Sequence, residues 1–396
     1  MQNKRDDSLP PHSLSTRNPQ LATLLWAIFL GVSWTWCIGM FLPVILLAHL
    51  GIGGFIVLAV PNVLGAAAMG WIIRDAAQSR RWVRQHESAC VWFSLATITF
   101  HAFFAAWLIR KLAGPATGAI VAAVFWVFWV ILQWRRGGKF LATMLALAVS
   151  LLAITWGLWR GELPYVARPI PTLALPPIQA LWMAPVFLFA FAFCPYLDLT
   201  FHTAWEALNR TQARVAFTLG FGGIFLLMLL FTLGYSGWMV ARFDRDRYPQ
   251  LAMILSAHLI VQSCVTAALH AQQVAAHLRR LRLAGFAVFS AALVVVVLLG
   301  VTDPRALTYH GLRLGELIYR CFTAFYGLGF AAYVWLRMIP PARSNLRLAL
   351  AILIALPLYW MGFIEQHLIY LLPGAAVLLL SRYFPPQLTP RPSAGV

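Results

Sequence analysis

Apolar runs of roughly 20 residues recur along this chain from Leu21 to Tyr383, and short arginine-bearing segments separate them. Runs of that length predict helices that cross a bilayer. Twelve spans can be drawn, at 21–48, 51–74, 89–112, 115–134, 139–158, 179–205, 214–240, 250–277, 283–301, 312–336, 347–362 and 365–383. The connections are short, and none is large enough to fold as a soluble domain, which excludes catalysis in an appended soluble domain.

Two of the spans are too long. The first and the sixth exceed what a straight helix needs to cross a core of about 30 Å. The first carries GVSWTWCIGMFLP at 31–43, where Gly31, Ser33, Thr35 and Gly39 weaken the helix and Trp34 and Trp36 fall at mid-membrane. The sixth carries FCPYLDLTFH at 193–202, where Pro195 lacks an amide proton and disfavours helical geometry at Cys194. Both are most easily broken at the bilayer midplane.

The two weak points lie about 160 residues apart, and that offset lays spans 2 to 5 onto spans 7 to 10. An offset of five spans makes the halves opposite in orientation. GIGGFIVL at 51–58 and GFGGIFLL at 220–227 echo each other across it. The expectation is an all-α polytopic protein with a 5+5 inverted repeat, 21–158 and 179–336, two accessory helices in 347–383, a polar leader 1–20 and a tail 384–396. Pro10, Pro11 and Pro19 mark the leader as disordered, and no signal peptide follows it.

Composition agrees with this reading. Hydrophobic residues make up 61% of the 396 and charged residues only 11%, about half the share of a soluble domain. A net charge of +18 would suit nucleic acid, but the basic residues sit in loops between spans. One alternate set of segments holds Lys4, Arg5, Arg17, Arg74, Arg80, Arg81, Arg84, Arg135, Arg136 and Lys139, then Arg210, Arg214, Arg279, Arg280, Arg282, Arg337, Arg343, Arg347, Arg382 and Arg391. The opposite set holds only Arg110, Lys111, Arg160, Arg168, Arg242, Arg245, Arg247, Arg305 and Arg313. The bias places both termini in the cytoplasm and favours an even number of spans. The expected location is a cytoplasmic (inner) membrane, with lipid and a small solute as partners and no nucleic acid. Cys37, Cys90, Cys194, Cys264 and Cys321 have no paired spacing, which suggests neither a disulfide framework nor a zinc site.

Five-plus-five inverted repeats with interrupted first and sixth helices resemble the LeuT-type fold of the amino acid–polyamine–organocation superfamily and the sodium/solute symporters. The resemblance covers about residues 21–336 and is architectural. It implies alternating access around a buried site, where the breaks offer unpaired backbone groups and half-helix dipoles. It also implies that hydroxyls of the eighth span, here Ser263 and Thr266, hold a sodium ion together with carbonyls of about Ser33 to Cys37. Sodium is the only cofactor this suggests.

Individual polar residues sharpen the picture. A carboxylate in lipid costs several kcal/mol, so Asp198 should face the bundle interior, as a charge for substrate, a proton carrier or an ion ligand. The alternative is that it caps the second half-helix, with Pro195 in the first turn. Asp198, His202, Glu206 and Arg210 recur at four-residue steps, which would place them on one helical face leading to the cytoplasm. His202 would then accept a proton from Asp198, while Glu206 and Arg210 form an ordinary intrahelical pair. Trp34, Thr35, Trp36, Cys194 and Tyr196 complete the expected substrate site, with His101 and His258 lining it. Ser33, Cys37, Ser263, Thr266, Asp198 and His202 are the expected coupling residues, near Gln262. Glu316 and Arg320, four apart, make a candidate outer gate or a static ion pair.

These residues predict a cation-coupled secondary transporter, using Na+ or H+, for a small polar or charged solute such as an amino acid or amine. Aromatic walls suit an amine. A transport fold repurposed as a sensor or scaffold is the next reading. Enzyme readings are weaker. GYSG at 234–237 matches the G-x-S-G of rhomboid proteases and His258 would be its histidine partner, but the layout differs from the compact rhomboid core. An acyltransferase would use a mid-membrane histidine such as His101. No metalloprotease or phosphate-loop motif is present.

Overall fold

The computed structural model describes residues 18–114, 116–134, 137–240, 249–278, 283–302 and 308–383. The tail 384–396 and all but the last three residues of the leader 1–20 lie outside them. So do Lys4, Arg5, Arg17, Arg135, Arg136, Arg242, Arg245, Arg247, Arg279, Arg280, Arg282, Arg305 and Arg391.

The described chain is helical apart from loops and one small hairpin, Thr308–Tyr309 paired with Leu312–Arg313. The helices are α1 Pro19–Ser33, α2 Cys37–Ile72, α3 Ala76–Gln85, α4 Glu87–Ala113, α5 Thr117–Trp134, α6 Gly138–Trp159 and α7 Ala180–Phe193. They continue as α8 Leu199–Ala207, α9 Arg210–Val240, α10 Pro249–Leu278, α11 Leu283–Thr302, α12 Leu314–Met338, α13 Asn345–Phe363 and α14 Leu371–Ser381. Among the described residues, eight helical segments are long and apolar enough to cross a membrane, and four shorter apolar helices accompany them. By length and composition this is an all-α, multi-pass integral membrane protein. The expected leader ends early, because Pro19 and Gln20 already belong to α1, capped by the Asn18 side chain.

Helix bonding fails where the sequence is weakest. After Ser33 the amides of Trp34 and Thr35 still bond back to Leu30 O and Val32 O, but Trp36 is extended and its amide reaches back only to Trp34 O, at 2.8 Å. The helix restarts at Cys37. Its 36 residues would make about 54 Å of straight helix, longer than a bilayer is thick. Gly51 breaks it, with φ 63° and ψ −152°, a backbone region that favours glycine. The carbonyls of Ala48 and His49 at the bend accept from Ile170 N at 2.9 Å and Leu175 N at 2.8 Å. An irregular segment before α7 thus closes over the bend.

The other interruption follows α7. Cys194–Leu197 tightens into a 3-10 turn around Pro195, Asp198 is extended, and α8 starts at Leu199. The four-residue face expected below Asp198 does not form. Asp198 precedes α8 as its N-cap, and α8 ends at Leu208. Arg210 opens a separate helix, because Asn209 and Gln212 form a reciprocal capping box that starts α9 anew. Only His202 and Glu206 share a helix.

Helix packing follows a regular scheme. α1 packs on α6 and α9, while α7 packs on α12 and α2. α4 packs on α11, α10 packs on α5, and α4 and α10 pack on each other. Two crossings are closed by glycine. A Cβ on Gly31 would come within 2.6 Å of Gly220 O, and one on Gly65 would collide with Phe191 O. The GIGG and GFGG echo does not mark equivalent places: Gly51 sits at a bend, whereas Gly220–Phe225 is a π-turn inside continuous α9.

Candidate functional site

The two interruptions meet. Thr200, two residues past Asp198, places Oγ1 3.3 Å from Ser33 Oγ at the end of α1. The Trp34 ring packs on Phe201 with centroids 5.0 Å apart.

At the first interruption the aromatic side chains and several freed backbone groups find neutral partners. Trp34 Nε1 donates to Asn62 Oδ1 at 2.8 Å, and Trp36 Nε1 donates to Ser33 O at 2.7 Å. Thr35 Oγ1 donates back to Gly31 O. The first amide of α2, Cys37 N, points at His101 Nε2 3.4 Å away. His101 Nδ1 lies 2.8 Å from Thr97 O, and since a carbonyl only accepts, the proton sits on Nδ1 and leaves Nε2 as acceptor. Cys37 O accepts from Tyr319 Oη at 3.1 Å.

The second interruption carries charge chemistry. Asp198 is fully buried. Its Oδ1 accepts from Thr200 N at 2.7 Å and from Thr200 Oγ1 at 2.6 Å, so the carboxyl does cap α8. Its Oδ2 makes no hydrogen bond and lies 3.8 Å from the equally unpartnered Nε2 of buried His270. The other nitrogen of His270 bonds Ser94 Oγ at 3.1 Å. Of the roles weighed for Asp198, the cap is formed through Oδ1, and Oδ2 is left facing His270.

A cavity of about 50 Å³ opens between the interruptions and α12, walled by Trp34, Trp36, Cys194, Phe187, Phe191 and Tyr326. Beside it, sharing Leu42, Thr323 and Phe363, lies a second space of about 40 Å³ lined by Arg320. Arg320 donates twice to Glu316 Oε1, at 2.9 and 2.6 Å, and its Nη2 also reaches His49 Nε2 at 2.9 Å. Glu316 and Arg320 thus lock α12 to the Gly51 bend above the cavity. On the opposite side, α3 covers the site. Ser79 Oγ meets His202 Nδ1 at 2.7 Å, and Trp82 packs on Tyr196 with centroids 5.5 Å apart.

The expected residues are only partly gathered. Trp34, Trp36 and Cys194 line the cavity; Thr35, Tyr196, Asp198 and His101 stand behind or beside it. His202 does not face Asp198: its Nε2 donates to Tyr196 O at 2.9 Å and its other nitrogen is taken by Ser79. His258 belongs to a separate cluster with Ser150, Gln262, Phe231 and Tyr235. Ser263 turns into a cavity of about 390 Å³ between α4, α5, α10 and α11, away from the carbonyls of Ser33 and Cys37, although His101 borders that cavity too. Thr266 is fully buried and its hydroxyl finds no hydrogen-bond partner among the described residues. Ser236 of GYSG accepts from Ala167 N at 2.9 Å and donates to Leu233 O, and it shares no hydrogen bond with His258.

Sequence reasoning does not single out Asn62, Ser79, Ser94, His270, Thr323 or Tyr326. One signal exists for His270: it follows Ser263 and Thr266 by seven and four residues, on the same polar side of one helix. No protein-family model, curated protein or solved structure matches this chain.

Proposed function

We propose that this protein is a cation-coupled secondary transporter of a small amine-bearing or apolar organic solute, working by alternating access. The observation that carries the reading is the meeting of two helix interruptions beside an aromatic-walled cavity, with a fully buried carboxyl at the second of them. Irregular backbone at such depth survives only when buried in protein or lining a cavity, and an intramembrane carboxyl is costly to keep without a task.

The packing scheme supports a 5+5 inverted repeat in a LeuT-type arrangement of twelve spans. If α1 with the first leg of α2 is span 1, and α7 with α8 is span 6, the partners repeat on moving five spans along. Spans 1–5 and 1–7 answer to spans 6–10 and 6–2, and spans 3–9 answer to spans 8–4. The glycine-closed crossings fall in one such pair, Gly31 with Gly220 and Gly65 with Phe191. Arg320 with Glu316 beside the neighbouring space, and α3 over the second interruption, are contacts that gates of an alternating-access cycle would use.

The choice of solute follows from which way polar tips point. Both indole N–H groups are taken by Asn62 and Ser33 O, and the Tyr326 hydroxyl bonds Thr97 Oγ1 at 3.1 Å. The cavity is left with ring faces, which attract ammonium groups and apolar surface. Purified protein in proteoliposomes, offered amines, amino acids and nucleobases under imposed sodium and proton gradients, should accumulate at least one amine saturably. No gradient-driven uptake of any of them, alongside turnover of a lipid or peptide, would replace this reading with an enzyme.

A further inference from the structure

Six buried polar side-chain atoms on α10 and at Asp198 make no hydrogen bond among the described residues: His258 Nε2, Gln262 Oε1, Ser263 Oγ, Thr266 Oγ1, His270 Nε2 and Asp198 Oδ2. Five of them ride on α10. His258, Gln262, Thr266 and His270 follow one another at four-residue steps, so they form a single stripe climbing the helix and winding gradually around it. Thr266 is unusual among the helical hydroxyls. Thr97, Thr232 and Thr323 each donate back to the carbonyl four residues earlier, as membrane helices allow, whereas Thr266 does not.

From this stripe we infer that α10 carries a proton-conducting ladder, His258–Gln262–Thr266–His270, ending on the Asp198 carboxyl. The inference rests on the transport reading for its role, and it names the coupling ion as a proton. Successive steps rise about 6 Å, the distance one water spans with two hydrogen bonds of about 2.8 Å. A proton taken up at the His258 end passes along bridging waters and the Thr266 hydroxyl, each O–H bond forming as the one behind it breaks. Gln262 Oε1 only accepts a hydrogen bond from that chain and is not itself protonated. The proton is held finally by the facing pair of His270 Nε2 and Asp198 Oδ2, 3.8 Å apart. One shared proton relieves the cost of an isolated buried carboxylate, and no arginine or lysine forms an ion pair with Asp198 among the described residues. The titratable groups around the pair are Cys90 and His101 of α4 and Tyr326 of α12. His202 of α8 has both nitrogens engaged.

Sodium fits less well. Ser263, one of the two hydroxyls it would need, faces the side cavity between α4, α5, α10 and α11.

The test is infrared titration of the purified full-length protein with deuterium exchange, which needs no solute. A carboxyl C=O band should appear on acidification, vanish in Asp198→Asn and shift in position in His270→Gln. After transfer to D₂O, the band should exchange about tenfold more slowly in Thr266→Val than in the wild type. Ser263→Ala, outside the ladder, should exchange as the wild type does. Absence of an Asp198-dependent band, or equal exchange in Thr266→Val and wild type, overturns the ladder. Saturable solute uptake alongside such a result would leave the transport reading standing, whereas a working ladder without any uptake would sink transport alone.

Discussion

The two helix interruptions use opposite means to survive in a membrane. At Trp34–Trp36 the backbone is stitched by neutral partners: Asn62, Ser33 O, His101 and Tyr319. At Cys194–Asp198 a proline turn and a carboxyl cap do the work, and one carboxyl oxygen is left over facing His270. The first break builds a wall and the second builds chemistry. A cut helix therefore does not by itself mark a reactive centre; what marks one is a polar atom that the repair leaves unpaired.

The largest effect should come from the crossings that hold the breaks together. Gly31→Leu would drive a side chain into Gly220 O and Ile224, and Gly65→Leu into Phe191 O. Neither backbone oxygen can swing aside, so each variant should lose about 3 kcal/mol or more and yield little monodisperse protein on size exclusion. If Gly65→Leu purifies and melts like the wild type, the close packing of α2 on α7 is wrong.

Next in size is the wall. Trp34→Phe keeps the ring but strands Asn62 Oδ1, a loss of about 1–3 kcal/mol. Pairing it with Asn62→Leu removes both polar partners and should restore much of the thermal stability. An equally destabilised double variant would show that the bond is not what holds the first break.

How far these features can be read from sequence depends on whether their cause is local. Gly and Pro weaknesses in over-long apolar runs are local, and both interruptions fall within the stretches they predict, at Trp34–Trp36 and Cys194–Leu197. Capping is local too, yet the box at Asn209 hides inside a four-residue repeat that reads straight across the helix end to Arg210. The partners of polar groups are tertiary. Nothing near Asp198 in sequence points to His270, and nothing near His202 points to Ser79 in a short amphipathic helix. Ser263 and Thr266 share a helix face by spacing, but only packing shows that Ser263 turns to a side cavity.

The second break should be separable into cap and charge. Asp198→Ala removes the cap and should cost about 1 kcal/mol, whereas Asp198→Asn still accepts from Thr200 N and should cost less. Solute accumulation should nonetheless fail in both. Full uptake in Asp198→Asn would reduce the residue to a cap and make the two breaks alike.

The smallest effect lies at the surface and isolates the pH response of the break. Glu365, outside the spans, accepts from Tyr309 Oη and from Trp360 Nε1 at 3.0 Å, with His310 Nδ1 3.4 Å away. Hydrogen bonds from Tyr309 first, and then from Trp360, hold its carboxyl below the usual range. A depressed carboxyl stabilises the fold fully above its unfolded value of about 4.3, and that contribution disappears as pH falls through the folded value. Glu365→Gln should therefore melt slightly below the wild type at neutral pH, with the gap closing in acid below about pH 4. A gap of constant size across that range would mean that Glu365 acts by shape and not by charge. Any pH dependence of stability that survives Glu365→Gln but disappears in Asp198→Asn belongs to the second break.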